Sequence, residues 1–99
     1  MEITRCRMSV ASREHMETKH GVYQYEVEEA IESLRAGQWR RGYPAGDGTP
    51  RYVAAGRTWS GRRLTVVFEL EHGSTAKVIS AREPAGHKET ARHKALRGD

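Results

Sequence analysis

The chain has 99 residues, of which 36% are hydrophobic, so we expect one small domain (1–99) of marginal stability. Its net charge of +4 favours an anionic partner. One cysteine excludes an internal disulfide and a thiolate metal cluster, and no apolar run approaches the roughly 20 residues of a membrane-spanning helix. The composition therefore predicts a soluble, cytoplasmic protein with no membrane segment.

The first third of the chain predicts a short strand and two helices. Loose alternation over residues 2–8 is typical of a short strand. Ser12 as N-cap and Gly21 as a stop predict a helix over Arg13–His20. Apolar residues that recur at helical spacing predict a second helix, and Gly37 ends it. These apolar residues are Tyr23, Val27, Ala30, Ile31 and Leu34.

The rest of the chain is rich in strand patterns. The predicted strands cover residues 38–43, 51–58, 64–71 and 75–82. Residues 42–50, with two Pro and three Gly, predict a surface loop. Residues 85–96 favour a last helix whose low apolar content predicts a loose attachment. This order predicts an α+β fold with an antiparallel sheet of about four to five strands, two N-terminal helices on one face, and a C-terminal helix.

Charge divides between the two predicted layers. Six of the thirteen acids lie between Glu14 and Glu32, whereas seven arginines lie between Arg35 and Arg63 with only Asp47 among them. A basic sheet under an acidic helical layer favours nucleic acid on the sheet, although arginines also decorate solvated strand edges. Direct DNA reading by a recognition helix is disfavoured because the best predicted helix is acidic.

Short motifs in both halves, taken in order, resemble the BrnT-type toxins of the RelE-like superfamily. The motifs are Arg13-Glu14-His15, Lys19-His20-Gly21-Val22, Glu26-Val27-Glu28-Glu29-Ala30, Gly56-Arg57, Gly61-Arg62-Arg63-Leu64, Val66-Val67 and Ile79-Ser80-Ala81-Arg82. The resemblance implies a RelE-like fold and a bacterial type II toxin that cleaves RNA, with or without the ribosome. It also implies a hetero-oligomer with a cognate antitoxin, commonly a ribbon-helix-helix protein.

The resemblance also suggests which residues carry the chemistry. It implies catalytic roles for Lys19, His20, Arg57 and Arg82, and Glu89 follows as a carboxylate candidate. Metal-independent RNA cleavage needs a base for the 2′-hydroxyl, an acid for the leaving oxygen, and cations for the phosphorane charge. Histidine suits proton transfer because it changes charge between pH 5 and 8, and arginine can contact two phosphate oxygens at once.

Further residues are candidates for holding RNA. Arg63, Arg51 and Lys88 offer charge, and Trp59 or Tyr52 offers a ring on which an unpaired base can stack. We expect Trp59 to be exposed because it stands in a turn. We expect no cofactor and no metal, because the five histidines are scattered and no phosphate-loop glycine pattern occurs.

Each candidate also has a structural interpretation. Lys19 and His20 occupy the last turn of a predicted helix, where cations interact favourably with free carbonyls. Arg57 and Arg82 stand at predicted strand ends, where surface ion pairs are common. The thin core and the weakly apolar last helix favour an alternative function, a RelE-fold protein that binds an acidic partner through its basic face without nuclease activity. The catalytic hypothesis makes a geometric prediction: His20, Arg57 and Arg82 meet at one pocket.

Overall fold

The computed structural model describes residues 3–99, so residue 2, where the predicted first strand begins, lies outside it. Within that range the chain forms five strands and three helices. In chain order they are β1 (Arg5–Arg7), α1 (Val10–His15) with a π-helical continuation (Met16–His20), α2 (Gln24–Glu32), β2 (Trp39–Arg41), β3 (Tyr52–Arg57), β4 (Arg63–Glu71), β5 (Thr75–Arg82) and α3 (Gly86–Arg97). The predicted α+β class is confirmed.

The five strands form one sheet in the order β1-β5-β4-β3-β2. Three of the four pairings are antiparallel, but β1 runs parallel to β5, with Arg5 opposite Thr75. The prediction of an antiparallel sheet is therefore wrong at this edge. A parallel pair needs a long crossover, and the helices after β1 provide the first part of that crossover.

The core lies between one face of the sheet and the two N-terminal helices. Alternate residues of β4 are fully buried on this face, and α2 packs closely on β3 at Gly56. A Cβ at Gly56 would lie 2.7 Å from the Cβ of Ala30, so this contact requires glycine. The buried apolar residues are Met16, Val22, Val27, Ala30, Ile31, Ala54, Leu64, Val66, Phe68, Ala76, Val78 and Ala81.

The helix α3 lies against the opposite face and contributes none of these core residues. It is held by polar contacts instead. The buried His93 places Nε2 3.0 Å from the carbonyl oxygen of Gly56 and 3.2 Å from that of Leu64. At the end of α3, Arg97 donates to the carbonyl of Ala55 (3.0 Å), and its own carbonyl accepts from the Gln38 side chain (2.6 Å). The predicted scarcity of apolar residues in α3 is right, but hydrogen bonds anchor the helix.

Helix ends differ modestly from the sequence prediction. The N-cap of α1 is Ser9, whose Oγ accepts from the Ser12 N–H at 3.1 Å, so the helix begins earlier than predicted. Gly21 ends the π-helical continuation in the left-handed region (φ 61°), as predicted. None of the helices within residues 3–99 is long and apolar enough to cross a bilayer.

Candidate functional site

The first cleft lies where the π-helical segment meets the end of β5. Its lining residues are Lys19, His20, Arg82, Glu83, Pro84 and Ala85. The structure thus brings together one histidine and two cations that the sequence analysis had singled out. We refer to this depression as the His20 cleft.

The chain turn at Gly21 positions Lys19 and His20. The N–H groups of Gly21 and Val22 return to the carbonyls of Glu17 (3.2 Å) and Met16 (3.1 Å), which closes the last helical turn. Glycine suits this turn because its backbone is left-handed. The His20 ring lies edge-on to the exposed His15 ring, with centroids 5.5 Å apart.

Arg62, in the turn between β3 and β4, connects three segments beside the His20 cleft. Its guanidinium donates to the Gly21 carbonyl at 3.0 Å, to the Glu26 carboxylate at 2.9 Å and to the Glu83 carboxylate at 2.9 Å. One side chain therefore joins the end of the π-helical segment, α2 and the residue after Arg82. Arg62 lies within one of the motifs, but no role could be predicted for it because no local pattern indicates its partners.

Arg82 and Glu89 form an ion pair at the edge of the cleft. The distance from Arg82 Nη1 to Glu89 Oε1 is 2.7 Å. The same Glu89 oxygen accepts from the Ala85 N–H (3.1 Å) at the start of α3. The hydrogen bond from Arg82, followed by that from Ala85, lowers the pKa of Glu89. Glu89 is therefore a carboxylate near neutral pH, which makes it an acceptor and not a proton donor.

Arg57 and Arg63 do not line the His20 cleft. Arg57 donates to the Gly61 carbonyl at 3.3 Å and lies 3.6 Å from the Asp99 carboxylate, while Arg63 donates to Asp99 at 2.9 Å. The hydrogen bond from Arg63 is the main cause that lowers the pKa of Asp99. β4 separates β3 from β5, which places Arg57 about 10 Å, two strand spacings, from the strand of Arg82. The predicted meeting of three residues therefore holds for His20 and Arg82 but not for Arg57.

Two residues proposed for RNA binding also lie away from the His20 cleft. Arg51 pairs with Glu69 (3.1 Å) beside the opposite end of β3. The Trp59 side chain is 75% exposed, as expected, and the backbone N–H of Trp59 donates to the Glu29 carboxylate (3.0 Å) on α2. These contacts hold Arg51 and Trp59 outside the lining of the His20 cleft.

The remaining RNA-binding candidates differ in availability. Lys88 is exposed on the first turn of α3, beside Glu89. Tyr52 is half-buried and packs against the core, with its ring centroid 5.3 Å from that of Trp39 and 5.6 Å from that of Phe68. These contacts cover part of the Tyr52 ring, and the stacking of an RNA base on it stays a prediction.

A second cleft, between α3 and the sheet, shares Arg82 and Glu89 with this region. Its walls include three residues that sequence analysis did not assign to the site, Arg40, Tyr43 and Arg92. Arg40 alternates with the inward Trp39 on β2, so its outward direction could have been inferred. Tyr43 lies in the turn-rich loop, where no periodicity indicates direction.

The His20 cleft offers an imidazole, a lysine and an arginine, together with the Glu83 carboxylate, which is paired with Arg62. Within residues 3–99, no group of three or more His, Cys, Asp or Glu side chains is placed to hold a metal ion. The cleft can hold an anion and exchange protons with it.

No protein-family model and no curated protein sequence matches the chain. Among solved structures, it is similar to the 1.1 Å crystal structure of the Brucella abortus ribonuclease toxin BrnT. The sequence identity is 19% and the TM-score 0.52, over 87% of this chain and 99% of that chain. The likeness establishes the fold. The resemblance to BrnT-type toxins noted in the sequence is thereby confirmed at the level of three-dimensional structure.

Proposed function

We propose that this protein is the toxin of a bacterial type II toxin–antitoxin pair and that it cleaves RNA in the His20 cleft without a metal. The observation that supports the proposal is the meeting of His20, Lys19 and Arg82 in one open cleft on a fold shared with a ribonuclease toxin. The cognate antitoxin would be a ribbon-helix-helix protein that binds the toxin in the cytoplasm.

In this proposal the nucleophile is the 2′-hydroxyl next to the scissile phosphate. Its oxygen bonds to phosphorus, the bond from phosphorus to the 5′-oxygen breaks, and a 2′,3′-cyclic phosphate forms. His20 either takes the proton of the 2′-hydroxyl or gives one to the leaving 5′-oxygen, and solvent water serves as the proton carrier at the other oxygen. Arg82 and Lys19 stabilise the charge on the phosphorane. Glu89 stays ionised and holds Arg82, so we assign it to positioning rather than to proton donation.

Expression in a bacterium that lacks the antitoxin tests the toxin proposal. The wild-type protein should arrest growth, and Arg82→Ala should not. Purified wild type should cleave RNA in the presence of EDTA. Normal growth with wild type, together with intact RNA in vitro, would contradict the proposal.

A histidine comparison tests the role of His20. His20→Gln should slow RNA cleavage by about 10²- to 10⁴-fold, the usual worth of a positioned proton carrier. The control is His72→Asn, because His72 is exposed in the β4–β5 turn with left-handed backbone (φ 53°), which asparagine tolerates. Equal rates for the two variants would remove His20 from the mechanism.

A non-catalytic partner-binding protein is the second candidate function. The observation that favours it is that Arg82 is already paired with Glu89 and Arg57 with Asp99, so two of the predicted catalytic cations have internal partners. Under this alternative His20→Gln leaves the biological effect intact, while substitutions on the antitoxin-binding surface abolish it.

A further inference from the structure

The His20 cleft is one end of a longer groove. The second cleft begins at Arg82 and continues between α3 and the sheet towards Arg40 and Tyr43. A third depression takes up Arg40, Tyr43 and Arg92 again and extends to Arg41 on β2. The first two depressions share Arg82, and the second and third share Arg40, Tyr43 and Arg92, so the three are adjacent from His20 to the β2 edge of the sheet. We call this row of depressions the groove.

Two arginines stand on opposite walls of this groove. Arg40 belongs to β2 and Arg92 to α3, and both are exposed. Across residues 3–99 neither guanidinium forms an ion pair with a carboxylate, in contrast to Arg57, Arg62 and Arg82. Unpaired cations facing each other across a groove suit the phosphates of a chain that passes between them.

Tyr43 supplies an aromatic surface in the same place. Its side chain is 95% exposed, the most of any large hydrophobic residue over the described range. The preceding Gly42 lies so close to the sheet that a Cβ there would be 2.8 Å from a methyl carbon of Val53, and its N–H donates to the Arg51 carbonyl (2.9 Å). The backbone just before Tyr43 is therefore held close to β3, while the Tyr43 ring is exposed beside the groove.

The other exposed tyrosines are arranged differently. Tyr23 and Tyr25 stack on each other at the start of α2, with centroids 6.3 Å apart and planes at 12°. Each of these rings already stacks on the other, whereas Tyr43 lines the groove.

We propose that single-stranded RNA lies along this groove, with one unpaired base stacked on Tyr43 and its phosphates held by Arg40 and Arg92. The inference rests on the proposed function, because it extends the substrate of the His20 cleft towards the β2 edge. An isolated aromatic ring between cations fits an unpaired nucleotide, since every base has a face that can stack and the backbone supplies the charge.

The test compares two lengths of single-stranded RNA by fluorescence anisotropy, a trinucleotide and a decamer. Tyr43→Ala should weaken decamer binding by about five- to a hundredfold, the range expected for one stacked base, and leave trinucleotide binding unchanged. Tyr25→Ala is the matched control, because it removes another exposed tyrosine, away from the groove. The double variant Arg40→Gln/Arg92→Gln should reduce the magnitude of the salt slope of log K by about 1.4, or about 0.7 for each lost phosphate contact.

The outcomes separate this inference from the proposed function. If the wild type binds the decamer through Tyr43 but leaves it intact, the nuclease proposal fails and the RNA groove stands. If RNA is cleaved and Tyr43→Ala binds the decamer as tightly as Tyr25→Ala, the groove proposal is wrong. It is also wrong if Tyr43→Ala loses only binding to the antitoxin, or if the wild type binds neither RNA.

Discussion

The guanidinium of Arg82 lies 2.7 Å from the carboxylate of Glu89, so a central cation of the His20 cleft carries its own counter-ion. Under the proposed function, a substrate phosphate competes with that carboxylate for Arg82. Because Glu89 also accepts from the Ala85 N–H, the ion pair links the end of β5 to the start of α3. This link ties the wall of the cleft to the fold of the C-terminal helix.

Two substitutions separate the roles of this pair. Arg82→Ala should lower the cleavage rate by about 10²- to 10³-fold, as expected for a lost group that stabilises transition-state charge. Glu89→Gln should bind RNA more tightly and keep the shape of the pH–rate profile, because the lowered pKa of Glu89 leaves it ionised near neutral pH. A profile of Glu89→Gln that loses one limb would show that Glu89 transfers a proton.

Removal of Arg62 should destabilise the protein. Its partner Glu26 is buried, and breaking a buried pair leaves an uncompensated charge that costs about 3–5 kcal/mol. Because the Arg62 side chain is 23% exposed, we expect a smaller loss of about 2–3 kcal/mol in the free energy of unfolding for Arg62→Met, measured by urea denaturation. Arg13→Met, on the exposed side of α1, is the control. A Glu26→Gln/Arg62→Met double variant no more stable than Arg62→Met would contradict the explanation.

His93 should make stability depend on pH. Burial lowers the pKa of His93, and the charges of Arg63 and Arg97 lower it further. The unfolded chain, with histidine near its ordinary value of about 6.5, then takes up the proton first. Stability is therefore complete above about pH 6.5 and falls as the pH drops towards the folded-state pKa. Urea unfolding between about pH 7.5 and 5.5 should show this decline.

The control for this pH effect is His93→Gln, whose amide can donate to the same carbonyls without titrating. The free energy of unfolding of His93→Gln should change less with pH than that of the wild type over the same range. The lowered pKa values of Glu71 and Asp99 affect stability in a lower pH range. Their contributions to the free energy of unfolding are lost only below about pH 4–4.5, where carboxylates protonate in the unfolded chain. Parallel curves for wild type and His93→Gln would place the titration elsewhere.

A methyl group at Gly56 should separate α2 from β3. The added Cβ would lie 2.7 Å from the Ala30 Cβ and 2.8 Å from its carbonyl oxygen, so backbone must move. We expect Gly56→Ala to lower the free energy of unfolding by about 1–3 kcal/mol, the range for overpacked cores. Gly46→Ala meets no atom within 4 Å and should change stability by less than about 0.5 kcal/mol. Equal stability of the two variants would refute the close packing.

The fold was predictable where the signal is local. Alternation along residues 64–71 predicted β4, and the turn at residues 72–74 predicted the start of β5, in both cases almost to the residue. Gly21 was identifiable as a helix stop because a left-handed residue favours glycine. The direction of β1 was not predictable, since its pairing with β5 depends on residues far apart in the chain.

The site was predictable only in part, for the same reason. The resemblance to known toxins singled out His20 and Arg82, which do share a cleft. Arg57 pairs with Asp99, and Arg62 pairs with Glu26 and Glu83. These partners are distant along the chain, so local residue spacing does not predict the contacts. Tyr43 stands in a turn-rich segment whose direction is fixed by the tight approach of Gly42 to Val53.

The parallel edge pair has a consequence for synthesis. Arg5 pairs with Thr75, a partner that emerges 70 residues later, so β1 must wait for most of the polypeptide before it can join the sheet. Such distant pairing slows folding, because a long loop must close first. The Lys19–His20 wall and Arg82 are likewise far apart along the chain, so a nascent polypeptide lacks the assembled cleft until β5 has been translated.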